Sequence, residues 1–192
     1  MLDVQPKRNF LFPLCSIIWL SFFVATIRSA TVQKFSLEEL AQRSQKIVVA
    51  RCLSTESRWN EKNTLILSFS QFAVSEDLKG QSNGAVTVMT VGGSVNGITQ
   101  TVSGSPQFSP GEEAVLFLEP TKLSDWQPVG LSQGKFLIVK NSHSGSKEVV
   151  NNLTGLQLYD PSARTLSVQQ SSYRMLLESF LARVRILSRA QK

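Results

Sequence analysis

The stretch from Leu78 to Val139 limits the folds open to this chain more than any other part of it. It strings together Leu78-Lys79-Gly80, Val86-Thr87-Val88-Met89-Thr90-Val91-Gly92-Gly93, Phe108-Ser109-Pro110-Gly111-Glu112, Ala114-Val115-Leu116-Phe117-Leu118 and Gly130-Leu131-Ser132-Gln133-Gly134-Lys135-Phe136-Leu137-Ile138-Val139. Each apolar run is short, rich in β-branched or aromatic residues, and fenced by Gly, Pro, Ser or Asn. Strands joined by turns read this way. The stretch therefore sets a mainly β fold class, and it holds no motif for a reaction.

Strands are expected over residues 46–57, 65–76, 85–91, 113–119 and 128–139, the last broken at Gln133-Gly134, with a hairpin partner over 147–150. In the second strand the apolar residues change faces, which a bulge or strong bend in a small barrel would produce. Before the first strand, Phe35-Ser36-Leu37-Glu38-Glu39-Leu40 carries a helix start. Ser36 can cap, Glu39 can complete a capping box, and Phe35 can staple onto Leu40. After Asp160-Pro161-Ser162, the residues Tyr173, Leu176, Leu177, Phe180, Val184 and Leu187 recur at helical spacing from Ser171 onward. Four or five turns of amphipathic helix, packed on the barrel, are expected there.

Charge separates the chain into three parts. Residues 1–30 hold Lys7, Arg8 and Arg28 against Asp3, and residues 164–192 hold six cations against Glu178. Between them, 31–163 is nearly balanced, so the overall charge of +6 belongs to the ends. A neutral barrel argues against a basic nucleic-acid groove, and no nucleic acid is expected as a partner. Lys7 and Arg8 precede the uncharged run from Phe10 to Ile27, the pattern of a secretory signal. The expected division is thus a signal peptide or signal anchor over 1–30, a β-barrel domain over 31–163 and a C-terminal amphipathic helix over 164–192. A cleaved signal places the chain outside the cytoplasm, secreted or periplasmic. An uncleaved anchor, with membrane contact through the N-terminal segment, is the alternative, because Arg28-Ser29-Ala30 is a poor cleavage site.

The chemistry-bearing residues are few. Cys15 falls in the first apolar run, which leaves Cys52 alone, on the face of Val48 and Ala50, as a small buried hydrophobe. His143 is the single histidine and sits in Asn141-Ser142-His143-Ser144-Gly145-Ser146, a polar turn that offers neither a nucleophile nor a buried carboxylate. Gly92-Gly93-Ser94-Val95-Asn96-Gly97 lacks the following helix that a phosphate loop requires. The acid pairs Glu76-Asp77 and Glu112-Glu113 lie in or beside turns, and Asn152-Leu153-Thr154 is a glycosylation sequon. No catalytic, metal or cofactor site is expected.

The order of short helix, Ile47-Val48-Val49-Ala50-Arg51 strand, long strand ending in Leu78-Lys79-Gly80, Val86-Thr87-Val88 strand, glycine-rich segment and Gly111-Glu112-Glu113-Ala114-Val115-Leu116-Phe117-Leu118 resembles the netrin-like domain. That domain is the OB-type barrel of tissue inhibitors of metalloproteinases and complement C-terminal modules. The pattern is still more similar to a group of uncharacterised secreted bacterial proteins, over roughly residues 36–139. The resemblance implies a five- to six-stranded OB-like barrel with helices against it. The inhibitors chelate their target's zinc through an N-terminal cysteine. This chain has no cysteine near residue 31, so that mechanism does not carry over.

The resulting expectation is a non-enzymatic exported module that binds an extracellular or periplasmic protein and modulates a secreted protease. Its alternative is an envelope-anchored structural protein whose basic C-terminal helix touches membrane. The expected contact surface is the long segment from Gly92 to Gly111, with Gly92, Gly93 and Asn96 in it and Phe108 as apolar anchor, together with the Gln133-Gly134 bend.

Overall fold

The computed structural model describes residues 31–122, 125–153, 156–168 and 172–190. The expected signal segment and Thr154 of the sequon lie outside these residues. Thirteen strands, two helices and one 3-10 turn are described. β1 (Thr31–Gln33) leads into α1 (Leu37–Arg43). The two long strands β2 (Lys46–Trp59) and β3 (Ile66–Lys79) follow, then β4 (Ala85–Val91) and a small hairpin of β5 (Gly93–Val95) and β6 (Ile98–Gln100). β7 (Glu113–Pro120), β8 (Trp126–Pro128), the 3-10 turn Leu131–Gly134, β9 (Lys135–Lys140) and β10 (Lys147–Asn151) come next. β11 (Gln157–Asp160), β12 (Thr165–Val168), β13 (Tyr173–Leu176) and α2 (Leu177–Arg189) complete the chain.

The main sheet runs β13-β10-β9-β7-β2-β3-β4-β8, and β8 pairs back onto β7. Five strands, β7-β2-β3-β4-β8, thereby close into a barrel. One edge of β7 is taken by β2 over Glu113–Leu118. The other edge is shared: Ala114, Val115 and Leu116 pair with β9, while Leu118, Glu119 and Pro120 pair with β8. β7 thus closes the barrel with one half and extends the sheet with the other. β1 and β11 pair in parallel, and with β12 form a separate three-stranded sheet.

Two cores lie on opposite sides of β7. Val48, Ala50, Cys52, Phe72, Val88 and Phe108 fill the barrel together with Ala114, Leu116 and Leu118 of β7. Val115 and Phe117 face the other way, against Leu40 and Ala41 of α1 and Phe180, Leu181 and Val184 of α2. Phe180 meets Phe136 at 4.7 Å and Phe117 at 6.3 Å between ring centroids. Edge-on and tilted ring contacts of this kind add to the burial of apolar area.

The helix start follows the local sequence. Ser36 Oγ accepts from the Glu39 amide at 3.1 Å and the Glu39 carboxylate accepts from the Ser36 amide at 2.8 Å, a capping box. Phe35 packs beside Leu40 at the same core. Cys52 is buried on the face of Val48 and Ala50.

Three expectations are corrected. The last helix begins at Leu177, not Ser171, and its 13 residues make fewer than four turns. Tyr173–Leu176 instead pairs antiparallel with β10, where the edge of the sheet offers backbone partners. Residues 164–192 are therefore not all helix, since Thr165–Val168 is also a strand. The expected strand over 128–139 is β8, a turn and β9, because Gly130 and Leu131 both take positive φ (64° and 62°) and turn the chain between two partners. The expected change of faces in β3 is present: Ile66, Ser68, Ser70, Phe72 and Val74 are turned to the barrel, but beyond the register shifts Glu76 reaches Arg185 of α2 and Leu78 packs in the core of the helices. The inward serines of β3 are accommodated by hydroxyl partners on β2, and the register shifts lie between Ile47 and Val48, Val49 and Ala50, and Cys52 and Ser54.

Much of the C-terminal basic charge is engaged with the domain. Arg174 pairs with Glu148 at 2.5 Å, Arg183 with Glu38 at 2.6 Å and Arg185 with Glu76 at 2.8 Å. Among the described residues no helix is long and apolar enough to cross a membrane.

The same pairings set an acid limit on stability. Lys147 at 3.1 Å, with Arg51, holds the Glu113 carboxyl below the usual carboxylate range. Arg183 does the same to Glu38 and Arg174 to Glu148. A depressed folded-state pKa contributes stability that is fully present above the unfolded pKa, roughly 4.3 for Glu, and is lost as pH falls through the folded value. The urea midpoint should therefore hold steady from about pH 7 to about pH 5 and fall below about pH 4. Glu113→Gln should lower the midpoint at neutral pH and flatten that acid decline, and added salt should shrink the difference between the two proteins.

Candidate functional site

The long segment between β4 and β7 is not an open loop. Gly92 and Gly93 turn the chain out of β4 with φ of 105° and 135°. A Cβ on Gly93 would fall well inside contact distance of the Ser57 and Ser68 hydroxyl oxygens, so the backbone there packs directly on the inner walls of β2 and β3. Asn96 and Gly97 then take φ of 50° and 79°, and Val95 pairs with Ile98. Two successive positive φ values between paired residues make the tight hairpin turn that Asn-Gly favours. This hairpin corrects the expectation of a loop.

From Thr101 to Glu112 the chain returns along the barrel and is tied at several points. Ser105 Oγ donates to Val91 O at 2.6 Å and Lys135 Nζ donates to Gln107 O at 2.7 Å. Lys135 also pairs with Glu112. The Cys52 amide donates to Glu112 O, and the Gly111 amide donates to Cys52 O, both at 2.8 Å. Phe108 enters the barrel, where it is 7% exposed and stands edge-on to Phe72 at 5.0 Å. The Lys135 ammonium lies 4.7 Å from its ring centroid.

These ties enclose a hollow of about 280 Å³ at the barrel's end. Its walls carry the hydroxyls of Thr55, Ser57, Ser68, Thr90, Ser94 and Thr99, with Gly92, Gly93 and Phe108 at its base and rim. Several of the hydroxyls are paired: Ser57 with Ser68 at 2.8 Å, Thr55 with Ser70 at 2.9 Å and Ser94 with Thr99 at 2.8 Å. Ser68 Oγ also donates to Gly92 O at 2.6 Å. A hydroxyl has one proton to donate and two lone pairs, so once these donors are engaged the wall offers chiefly acceptors. Such a wall can read N–H and O–H donors, and it carries no acid or base.

The sequence-derived site residues divide three ways. Gly92, Gly93 and Phe108 meet at this hollow, but Phe108 is a core residue and cannot act as an exposed anchor. Asn96 stands exposed at the hairpin tip. Gln133 and Gly134 lie elsewhere and are buried. Gln133 Oε1 accepts from the Phe35 amide at 2.8 Å, and Nε2 donates to Gln33 O at 2.8 Å and Gly130 O at 3.2 Å. A Cβ on Gly134 would meet Val129 O and N at 2.7 and 2.8 Å. This pair staples the start of the domain to the 3-10 turn and offers no contact surface. The hydroxyl wall is not among the residues expected from the sequence, although Thr55-x-Ser57 and Ser68-x-Ser70 repeat at the strand period of two, the signal of a polar inner wall.

The remaining polar groups are dispersed. His143 is exposed in the turn between β9 and β10, its Nδ1 3.3 Å from Ser142 Oγ. Glu112 and Glu113 each face cations, and burial pushes the Cys52 thiol up. Among the described residues no three His, Cys, Asp or Glu side chains converge. No protein-family model and no curated protein matches the chain.

Two glycines of the hairpin separate support from turn. Gly97→Ala meets no atom within 4 Å and should cost about 1–2 kcal/mol for its left-handed φ alone. Gly93→Ala must also displace the two serines, and should cost about 3 kcal/mol or more. Urea melts of the two variants, measured side by side, test the difference.

Proposed function

We propose that this chain is a non-enzymatic exported module that binds an extracellular or periplasmic protein through the barrel end built by β5, β6 and the returning segment. The observation that carries this reading is Ile98, 55% exposed on a hairpin whose base packs closely against Ser57 and Ser68. A large apolar side chain on a preorganised support loses little entropy on docking, and this is what a small contact needs to gain affinity. The hydroxyl wall beside it supplies acceptors for a partner's backbone or side-chain donors. Ile98, rather than the buried Phe108, is the apolar anchor of this surface.

The netrin-like resemblance supplies the partner class, a secreted protease, without the zinc-chelating cysteine of the inhibitors. The envelope-anchored alternative has the exposed Ile186 of α2 to offer a membrane. It stands second because Arg183 and Arg185 of that helix are turned to Glu38 and Glu76.

The test is retention of a partner from the extracellular fraction of the chain's own source on the immobilised full chain. One protein held in stoichiometric amount, with retention reduced about tenfold or more by Ile98→Asp at unchanged Tm, is the expected result. Equal retention by I98D would move the contact off the hairpin. Retention of no protein would overturn the binding reading.

A further inference from the structure

Another hollow, of about 210 Å³, adjoins the hydroxyl-lined one and shares Thr90, Val91 and Pro106 with it. It follows from the way the barrel closes. β4 and β8 pair in parallel at Val88 and Trp126 alone. Val129 donates its amide to Phe117 O on β7, so by alternation the backbone nitrogen of Pro128 faces β4. Proline has no N–H to give there, and the ladder ends. A gap is left between Met89, Thr90 and Val91 on one side and Gln127 and Pro128 on the other.

Among the described residues, Glu119 is the only charged one on these walls. It is half-buried and forms no ion pair with a described residue. Gln127 Nε2 donates to Glu119 Oε1 at 3.0 Å. A carboxylate only accepts, so the amide nitrogen must face it, and Gln127 Oε1 is left as an acceptor. Glu119 Oε2 has no hydrogen-bond partner among the described residues and is not sealed from solvent. Thr90 is 7% exposed, and its hydroxyl likewise forms no hydrogen bond among the described residues.

These groups fit one kind of ligand. An unpaired carboxylate in a partly enclosed site attracts a cation more strongly than it would in water. An ammonium has three protons to place, and a carboxylate oxygen, an amide oxygen and a hydroxyl are free to take them. A guanidinium binds a carboxylate best through both oxygens, and Gln127 already occupies Oε1. Met89, Pro128 and Leu131 give the walls that an aliphatic stem needs, since lysine buries its carbons while its charge finds polar partners. Cavities of roughly 150 Å³ hold a benzene ring, so the stem has room.

We infer that this pocket receives a lysine side chain of the protein partner, with the ammonium on Glu119 Oε2. The inference rests on the binding reading above, whose barrel end the pocket adjoins. Nα-acetyl-lysine methylamide is the probe, and the corresponding norleucine and arginine derivatives are its controls. The full chain is titrated with each while methyl NMR signals are followed.

The lysine probe should move the Met89 and Leu131 methyl signals saturably. It should bind about tenfold more tightly than the norleucine control, the factor expected for one hydrogen bond between charged groups, and more tightly than the arginine control. Glu119→Gln, which keeps the shape of the site, should remove that advantage at retained Tm and leave the norleucine affinity unchanged. Equal affinity for lysine and norleucine, or a lysine advantage that survives E119Q, would overturn the assignment. Tighter binding of the arginine control would overturn the choice of an ammonium, and much tighter binding of n-butylammonium would assign the pocket to a free amine instead. If the lysine probe fails while a partner is still retained through Ile98, this inference falls and the binding reading stands. Retention of no protein would overturn both the partner and the reading it rests on, whatever the probe does.

Discussion

Five consecutive residues of β7, Ala114 to Leu118, are fully buried, and the two faces of that one strand serve different cores. Ala114, Leu116 and Leu118 complete the barrel interior, while Val115 and Phe117 hold both helices. A strand in this position needs backbone partners on each side and apolar neighbours on each face. The chain meets the first need by placing β2 along one edge and dividing the other between β9 and β8. The barrel closes only because β8 reaches that second half, and α1 and α2 dock only because the opposite face is apolar. Losing β7 would undo both.

The barrel end around the hairpin follows a different rule. Apolar residues fill the middle of the barrel, but towards Gly93 the inward positions of β2 and β3 are serine and threonine. Small hydroxyl side chains let the hairpin backbone approach, and their mutual hydrogen bonds lessen the cost of burying them. This is why a segment that is irregular in sequence becomes an ordered support, and why the exposed features of the site are Ile98 and Asn96 rather than the rings. On the proposed binding reading, a partner would meet a surface already in place.

Local signals in the chain were legible and long-range ones were not. The Ser36–Glu39 capping box and the bounds of β4 depend on residues a few positions apart, and both are found where the sequence places them. Asn96-Gly97 carried a hairpin signal that the surrounding Gly, Ser and Thr obscured. Tyr173 and Leu176 fit helical spacing and a strand edge equally well, and only β10 decides between them. The burial of Phe108 depends on Phe72, and that of Gln133 on the backbone of Gln33 and Phe35. No inspection of the neighbouring sequence could reveal either partner. The site was therefore legible in its glycines and hidden in its hydroxyls and its anchor.

The dependence on β7 is tested most directly by residue-resolved hydrogen exchange under native conditions. The amides of Val115 to Leu118 should exchange only through global unfolding, with a free energy equal to that from denaturant melts, while those of the β5–β6 hairpin and β12 should open locally at lower cost. Exchange of the β7 amides together with the hairpin, at a free energy well below global stability, would contradict the claim that both cores hang on this strand.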